Sequence, residues 1–366
     1  MAAVPVSVIT GFLGSGKTTL LARLLRDPAL ARTAVIVNEF GEIGLDHLLV
    51  EAADEEILLL EGGCVCCSVR GDLVRTAGSL LARRAAGAIA PFERIVIETT
   101  GLADPAPILQ ALMTDPAIAD ALRLESVIAT VDAAAGAATL DAHPEAVKQA
   151  AIADRIVVTK TDLADPAASG LLERLRALNP TAPQLTAVHG AVEASRLFGA
   201  GTRDAQACGL DVRRWLAAEA FPHGAADHCH DHTAGRHDGA VAPFCLRRST
   251  PLHAVTLTLF LQVVAEHCGA RLLRLKGLVD VLESPGRPAV IHGVQHVFHP
   301  PAWLDAWPDE ERTTRIVVIA LGLDPLWLEA LLDALDCEVA ALQAGASTAA
   351  EASGARQEQE AQCSIS

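Results

Sequence analysis

The chain has 366 residues, of which 51% are hydrophobic and 3% aromatic, and its formal net charge is −16. This length predicts two domains, and a chain this acidic disfavours binding to nucleic-acid phosphates or to anionic membrane surfaces. With few aromatic residues and no tyrosine, a stacking platform for single-stranded nucleic acid is also disfavoured, so we expect neither a nucleic-acid nor a membrane partner.

The N-terminus and the lengths of the apolar runs predict a cytoplasmic protein. The opening residues MAAVPVSVITG lack a basic segment followed by a long apolar core, so they do not resemble a signal peptide. No window reaches the roughly 18 uninterrupted apolar residues that a membrane span requires. Nine cysteines in the cytoplasm are expected to be reduced, which favours metal binding over disulfides where cysteines cluster.

Short apolar runs alternate with amphipathic stretches over about the first two hundred residues. This alternation predicts an α/β fold in which helices cover both faces of a mostly parallel sheet. The predicted strands are Pro5–Thr10, Thr33–Val37, Glu56–Leu60, Arg94–Ile97, Ser126–Val131, Arg155–Val158 and Gln184–Val188, and the predicted helices include Thr18–Arg26, Asp72–Arg84 and Ala167–Leu178.

A phosphate-binding loop follows the first predicted strand. The segment from Gly11 to Thr18, GFLGSGKT, fits G-x-x-x-x-G-K-[ST] and lies between a strand and a helix, as that motif requires. Its backbone N–H groups and the helix N-terminus attract phosphate oxygens. We expect Lys17 to reach the β- and γ-phosphates and Thr18 to hold Mg²⁺. The context disfavours the alternative of a chance glycine-rich turn, so the motif predicts nucleotide binding.

Three cysteines, Cys64, Cys66 and Cys67, lie within four residues directly after Gly62-Gly63. On a loop these thiolates can converge on one cation, and soft thiolates select Zn²⁺, Cu(I) or related ions. Tetrahedral Zn²⁺ takes four ligands, so the fourth has to come from elsewhere, and an open position suits transfer of the metal. A redox-sensitive or merely buried set of cysteines is the alternative interpretation.

The predicted strand Arg94–Ile97 is followed by an acid, Glu98, and three residues later by Gly101. In a nucleotide-binding domain we expect Glu98 to orient Mg²⁺ through water or to position the attacking water. We expect the Gly101 N–H to meet the γ-phosphate. An ordinary strand end with a solvated acid is the alternative.

The segment Thr159-Lys160-Thr161-Asp162 also follows a predicted strand, and [N/T]-K-x-D is typical of guanine recognition. The Asp162 carboxylate accepts hydrogen bonds from the guanine N1–H and exocyclic amine together, a donor pair that adenine lacks. Lys160 is expected to pack its stem along the base. His189, after a later strand, is a further predicted contact with the base.

A tract of five histidines and one cysteine lies within fifteen residues, His223 to His237. The spacing of His228, His230 and His232 places three imidazoles on one side of an extended chain, where they can bind Zn²⁺, Ni²⁺ or Co²⁺ loosely. A solvated linker without a fixed role is an equally good interpretation.

A second, smaller α+β domain is predicted after this tract. HAVTLTLF, from His253 to Phe260, alternates like a half-exposed strand. The apolar segments RLLRLKGLVDVL, PAVIHGVQHVF and TRIVVIAL follow, and then the helix-like DPLWLEALLDAL. The predicted division is a GTPase domain over 1–220, a histidine-rich linker over 221–250, the second domain over 251–340 and a disordered tail over 341–366.

These motifs together resemble the CobW family of P-loop GTPases. The resemblance rests on GFLGSGKTTLL, VNEFGEIGLD (Val37–Asp46), EGGCVCCSVRGDL, IETTGLADP and VVTKTDL, and it continues through RLLRLKGLVDV, Trp303 and RIVVIALGLD. It spans about Val4 to Leu335, and the cysteine triplet is its most specific part.

The resemblance implies a GTP-hydrolysing metallochaperone with GTP, Mg²⁺ and Zn²⁺, or Co²⁺ for a corrinoid pathway, as its ligands and a metal-dependent client protein as its partner. It implies a switch segment in which Glu39, Glu42 and Asp46 lie near Mg²⁺ or the delivered metal, with Cys64, Cys66 and Cys67 as the metal motif. The residues that it assigns to phosphates and Mg²⁺ are Gly14, Ser15, Gly16, Lys17, Thr18 and Thr19.

Two other functions stay open at this point. One is a metal-buffering protein in which GTP hydrolysis is incidental, and the other is an ordinary nucleotide triphosphatase with redox-sensing cysteines. The residues leave the delivered metal, the client and the oligomeric state undetermined.

Overall fold

The computed structural model describes residues 3–37, 58–59, 69–163, 170–198 and 241–343. These residues form two sheets. Several predicted site residues lie outside the described residues, namely Glu39, Glu42, Asp46, Cys64, Cys66, Cys67, His228, His230 and His232.

The first sheet has seven strands in the order β3-β2-β4-β1-β5-β6-β7, and every neighbouring pair is parallel. This confirms the predicted parallel α/β fold. The strands are β1 Val4–Gly11, β2 Thr33–Val37, β3 Leu58–Leu59, β4 Arg94–Glu98, β5 Leu122–Asp132, β6 Arg155–Thr159 and β7 Gln184–Ala187. The helices are α1 Lys17–Leu24, α2 Val69–Ala85, α3 Ala106–Thr114, α4 Gly136–Ala142, α5 Pro144–Ile152, α6 Gly170–Leu178 and α7 Ala194–Leu197, with a 3-10 turn at Pro28–Leu30.

The apolar runs became strands because the central positions of this sheet are buried on both faces. Every residue of β2 and β6 is buried, so neither strand shows the alternation of a half-exposed strand. One face packs on α2, α3 and α5 and the other on α1 and α7, in separate hydrophobic clusters. Connections through helices bring the carboxyl ends of the strands to one edge, here called the carboxyl edge, and the amino ends to the opposite amino edge.

The second sheet is antiparallel and covered by two helices. Its strand order is β11-β10-β9-β13-β8, with β12 paired to β10. The elements are β8 Val241–Arg248, α8 Ala254–Cys268, β9 Leu272–Val279, β10 Ala289–Val294, β11 Val297–Phe298, β12 Ala302–Trp303, β13 Thr314–Leu321 and α9 over residues 325–343, with a 3-10 turn at Gly269–Arg271 between α8 and β9. Together with the first sheet this confirms the predicted fold class.

The prediction that His253–Phe260 forms a strand is wrong. Ala254–Cys268 is one α-helix, in which Thr256, Leu257, Phe260, Leu261 and Val264 are buried. Their spacing is that of one helical face. The eight residues of HAVTLTLF match a period of two only by chance. The longer segment has the periodicity of a helix, because its buried face continues for two further turns.

Part of the predicted linker over 221–250 is also corrected by the structure. Val241–Arg248 forms β8 and pairs along its whole length with β13, so the second sheet begins about ten residues before the predicted boundary. The rest of the predicted division into domains stays a prediction. Among the described residues, no helix has both the length and the apolar character needed to cross a membrane.

The second sheet packs against the amino edge of the first. Leu273, Val294 and Ile319 join the hydrophobic cluster beneath α2 and α3. Asp154, which directly precedes β6, forms buried ion pairs with Arg274 and Lys276 of β9. The carboxyl edge is therefore on the side of the sheet away from this contact.

Candidate functional site

The predicted phosphate loop lies at the carboxyl edge, between the ends of β4, β5 and β6. Gly16 adopts φ 90° at the start of α1, a left-handed conformation that glycine adopts without steric cost. Lys17 is largely buried, and its Nζ donates hydrogen bonds to the carbonyl oxygens of Gly11 at 3.0 Å and Phe12 at 3.1 Å. The loop therefore curls around a single ammonium group at the N-terminus of a helix.

Thr18 and Glu98 meet at the ends of α1 and β4. The Thr18 Oγ1 donates to Glu98 Oε1 at 2.6 Å, although 80 residues separate them, and Glu98 is 3% exposed. β1 and β4 are adjacent in the sheet, which places the strand-ending acid beside the first turn of α1. A hydroxyl and a carboxylate are hard oxygen donors of the type that Mg²⁺ prefers, so the side chains present suit that ion.

The loop that contains Gly101 touches the phosphate loop directly. A Cβ added to Gly101 would lie 2.6 Å from Leu13 Cδ2 and 2.7 Å from the Leu13 backbone nitrogen, so only glycine allows this approach. The structure thus brings Gly101 together with the predicted phosphate loop, as a γ-phosphate contact would require.

The predicted base-reading residues adjoin the same loop in different ways. The Thr159 hydroxyl donates to the Ser15 carbonyl oxygen at 2.7 Å, so this side chain braces the phosphate loop. Lys160 follows with φ 54°, and Asp162 is exposed. His189 also has positive φ, in a turn whose next residue packs against the backbone of Thr19. The base contacts of these residues stay predictions.

Asp132 and Thr130, at the end of β5, were not predicted as site residues. Lys160 Nζ donates to Asp132 Oδ2 at 2.7 Å, and Thr130 shares a 2.6 Å hydrogen bond with the Ser15 hydroxyl. Burial alone would raise the pKa of Asp132, but the hydrogen bonds from Lys160 and from the amides of Ala134 and Ala135 outweigh it and lower that pKa. An acid at the end of a buried strand, as at Glu98, was the available sequence signal.

The predicted thiolate and histidine metal sites lie outside the described residues. Within the parts of the chain that the structure describes, no group of three or more His, Cys, Asp or Glu side chains is arranged to hold a metal ion. The described cysteines are Cys245, Cys268 and Cys337, which lie in β8, α8 and α9, respectively.

Two family models match the chain. A model described as the CobW/HypB/UreG nucleotide-binding domain matches residues 5–186, and one described as the cobalamin synthesis protein cobW C-terminal domain matches residues 241–336. The first range contains the parallel sheet and the second contains the antiparallel sheet.

Curated relatives and a solved structure match over most of the chain. The zinc chaperone YjiA of Escherichia coli is 32% identical over 87% of this chain and 95% of its own length. The zinc chaperone CobW of Pseudomonas aeruginosa is 35% identical over 88% of this chain and 89% of its own length. A crystal structure of Zn(II)-bound YjiA GTPase superposes with a TM-score of 0.65 at 28% identity, covering 92% of this chain and 99% of that one. The chain therefore belongs to the CobW family of P-loop proteins, with the nucleotide-binding domain and the CobW C-terminal domain in the family's order.

Proposed function

We propose that this GTPase couples its nucleotide state to the binding of zinc and to the delivery of that zinc to a client protein. The observation that carries the proposal is the contact between Thr18 and Glu98 beside Lys17, because it assembles the phosphate-binding and Mg²⁺-binding groups in a chain whose relatives are named zinc chaperones. The proposed location is the cytoplasm, where thiols are kept reduced and can bind zinc.

The carboxyl edge supplies the groups needed for phosphoryl transfer. On nucleotide binding, Lys17 gives up its hydrogen bonds to the loop carbonyls and donates to phosphate oxygens instead. The Gly101 N–H contacts the γ-phosphate. Thr18 and Glu98 hold Mg²⁺, directly or through water, and bound Mg²⁺ neutralises charge on the phosphate oxygens. Catalysis in such sites rests on positioning and electrostatics, for which a fixed loop and a buried acid are suited.

Guanine is the proposed base. Asp162 is exposed at the carboxyl edge, where it can accept from the N1–H and exocyclic amine, and Lys160 is held beside it by Asp132. Asp162→Ala is expected to weaken GTP binding about tenfold or more while leaving ATP binding unchanged. Equal losses for the two nucleotides, measured by titration calorimetry, would contradict guanine recognition by Asp162.

The proposed zinc ligands are Cys64, Cys66 and Cys67, which follow β3. Since β3 ends at the same edge as the phosphate loop, loss of the γ-phosphate can alter the zinc site through the switch segment with Glu39, Glu42 and Asp46. Coupling of this kind is reciprocal, so zinc has to change the affinity for GTP by the same factor.

The coupling is tested on the full chain, purified without oxygen. We expect the dissociation constant of Zn²⁺, measured by competition with a fluorescent chelator, to differ between the states bound to a non-hydrolysable GTP analogue and to GDP. Cys66→Ser is expected to abolish the difference while nucleotide binding persists. Identical zinc affinities in the two nucleotide states would remove the coupling, and the same titration with Co²⁺ distinguishes cobalt from zinc as the delivered metal.

A second candidate function is metal buffering by the histidine tract, which the five histidines between His223 and His237 favour. Deleting residues 222–238 separates the two functions. If nucleotide-dependent zinc release persists in the deletion variant, the tract serves only as a local reservoir. If both zinc capacity and release collapse, buffering is the main activity.

A further inference from the structure

A buried glutamine holds the loop of residues 99–104 through two hydrogen bonds. Gln149 of α5 is 1% exposed. Its Nε2 donates hydrogen bonds to the carbonyl oxygens of Gly101 at 3.1 Å and Ala103 at 3.0 Å. Both amide hydrogens are thus directed at one short stretch of this loop.

Each end of the loop is fixed by other contacts. The Thr99 amide donates to the Ile9 carbonyl oxygen at 2.9 Å, which continues the pairing of β4 with β1. Asp104 accepts a hydrogen bond from the amide of Ala106 at the start of α3. Between them, the Gly101 backbone contacts both Leu13 and Gln149. Gly101 is therefore held by the phosphate loop and by α5, and its N–H belongs to the peptide directly before the carbonyl that Gln149 binds.

The two hydrogen bonds to the loop fix the orientation of the Gln149 side-chain amide, and this orientation has a cost in free energy. Its Oε1 is buried and makes no hydrogen bond within the described residues. A buried acceptor without a partner costs free energy, which the two bonds to the loop offset. A glutamine that served only to stabilise the helix would not need this arrangement.

We propose that Gln149 is a positioning residue for the γ-phosphate, and this inference rests on the proposed GTPase site. Gln149 touches no reacting atom. It holds the Gly101 carbonyl so that the N–H on the same loop points towards the phosphate that distinguishes GTP from GDP. Without this hold the loop retreats from Leu13 and the γ-phosphate loses a donor, while the α- and β-phosphates keep theirs.

The same loop lies between two helices that contact the second domain. On one side α3 carries Gln110, whose Nε2 donates to Gln295 Oε1 at 2.7 Å. On the other side α5 is followed by Asp154, which pairs with Arg274 and Lys276 of β9. The loop that Gln149 holds is therefore flanked by two helices that contact the second sheet.

The test replaces Gln149 with Met in the full chain. Met has a similar length and removes both the donors and the unsatisfied Oε1, and thermal unfolding of the variant is measured beside nucleotide binding to establish that it folds. The dissociation constant of a non-hydrolysable GTP analogue is expected to rise about tenfold, equivalent to one good hydrogen bond, while that of GDP changes less than about twofold. Thr181→Val is the matched control, because it removes a buried hydrogen bond to Asn179 far from the carboxyl edge and should leave the GTP/GDP ratio unchanged.

A second variant, Gln149→Glu, adds a pH signature. An ionised carboxylate facing two carbonyl oxygens repels them, whereas a protonated carboxyl donates one hydrogen bond. GTP selectivity in this variant is therefore expected to recover as pH falls, and a parallel profile for variant and parent would oppose the proposal.

The outcomes separate this inference from the proposed function. If the parent chain binds GTP but Gln149→Met keeps the parent's GTP/GDP ratio, or weakens both nucleotides equally, the positioning role is overturned and the GTPase site stands. If the parent chain binds no GTP, the proposed function itself fails.

Discussion

The two edges of the parallel sheet use similar polar groups for opposite purposes. At the carboxyl edge, Lys160 pairs with Asp132 while 39% of its side chain remains exposed. At the amino edge, Asp154 pairs with Arg274 and Lys276, and all three side chains are below 10% exposed. Charges at the first edge can change partners when a ligand arrives, whereas those at the second are buried against one another.

The apolar residues of the two edges differ in the same way. Leu13, Leu102 and Leu163 are each more than half exposed on loops at the carboxyl edge. At the amino edge Leu273 and Val294 are buried against the first domain. One edge of the sheet can therefore keep its loops open for a ligand while the opposite edge holds the second domain.

Breaking the buried ion pair should give the largest effect. Asp154→Asn leaves two buried cations without a counter-charge, so we expect a loss of about 3–5 kcal/mol in the free energy of unfolding, measured by urea denaturation. Glu93→Gln is the control, because its pair with Arg32 is more than half exposed on both sides and contributes below about 1 kcal/mol. Equal losses for both variants would show that the amino edge is not held by this pair.

The same ion pair predicts how stability responds to acid. Burial alone would raise the pKa of Asp154, but Arg274 and Lys276 outweigh it and hold that pKa far below its usual range. Its stabilising contribution is therefore fully present above the unfolded-state pKa of about 3.9 and declines as pH falls below that value. Asp154→Asn should remove this part of the acid sensitivity.

Removing the ammonium group of the phosphate loop should give the next largest effect. Lys17→Ala is expected to raise the dissociation constant of GTP about 100-fold, because a largely buried charge that we propose as a phosphate ligand is lost. Arg174→Ala, which breaks an exposed pair with Asp141, should leave nucleotide binding unchanged. Retention of GTP binding in Lys17→Ala would place the nucleotide elsewhere.

The carboxyl edge was largely predictable from the sequence because its signals are local. A buried parallel strand produces an unbroken apolar run, and the residue after it falls at the carboxyl edge whatever the rest of the fold does. Gly11–Thr18, Glu98 and Gly101 follow directly from this rule. Asp132 obeys the same rule and was missed because no familiar motif surrounds it.

The amino edge was not predictable because its contacts join distant residues. Asp154 and Arg274 are 120 residues apart, and no local sequence pattern around either residue predicts that it pairs with the other. The alternation of Arg274 and Lys276 in an apolar strand does place two cations on one face, which requires a buried acid somewhere. Gln149 shares α5 with two other polar residues, Glu145 and Lys148, and only the folded structure shows that it contacts the loop of residues 99–104.

One added methyl group should affect nucleotide binding at the carboxyl edge and stability at the amino edge. Gly101→Ala forces a Cβ against the Leu13 backbone, so we expect the dissociation constant of GTP to rise about tenfold. Gly293→Ala places a Cβ against the Phe298 ring beside the amino edge, where about 1–3 kcal/mol of stability is lost without an effect on nucleotide affinity. Calorimetric titration and urea denaturation of both variants check this, and a reversed pattern would refute the division of roles.

The smallest expected effect is a dependence of the amino edge on pH near neutrality. His292 lines a cavity with Leu124, Glu125, Asp154, Arg274 and His299, and Lys276 is its neighbour across the β9–β10 pair. Burial and then the charges of Lys276 and Arg274 lower the pKa of His292 well below its usual range, against the opposing effect of Asp154.

His292 is therefore neutral in the folded protein at pH values where an unfolded histidine gains a proton. The folded state is penalised as pH falls below about 6.5, so the urea midpoint should decrease between pH 7 and pH 5.5. His292→Gln keeps a polar side chain that does not titrate, and its midpoint should fall less over that range. His267→Gln, on the exposed face of α8, should follow the parent. Because both edges share β5 and β6, nucleotide affinity measured over the same pH range tells whether protonation at His292 stays local or reaches the carboxyl edge.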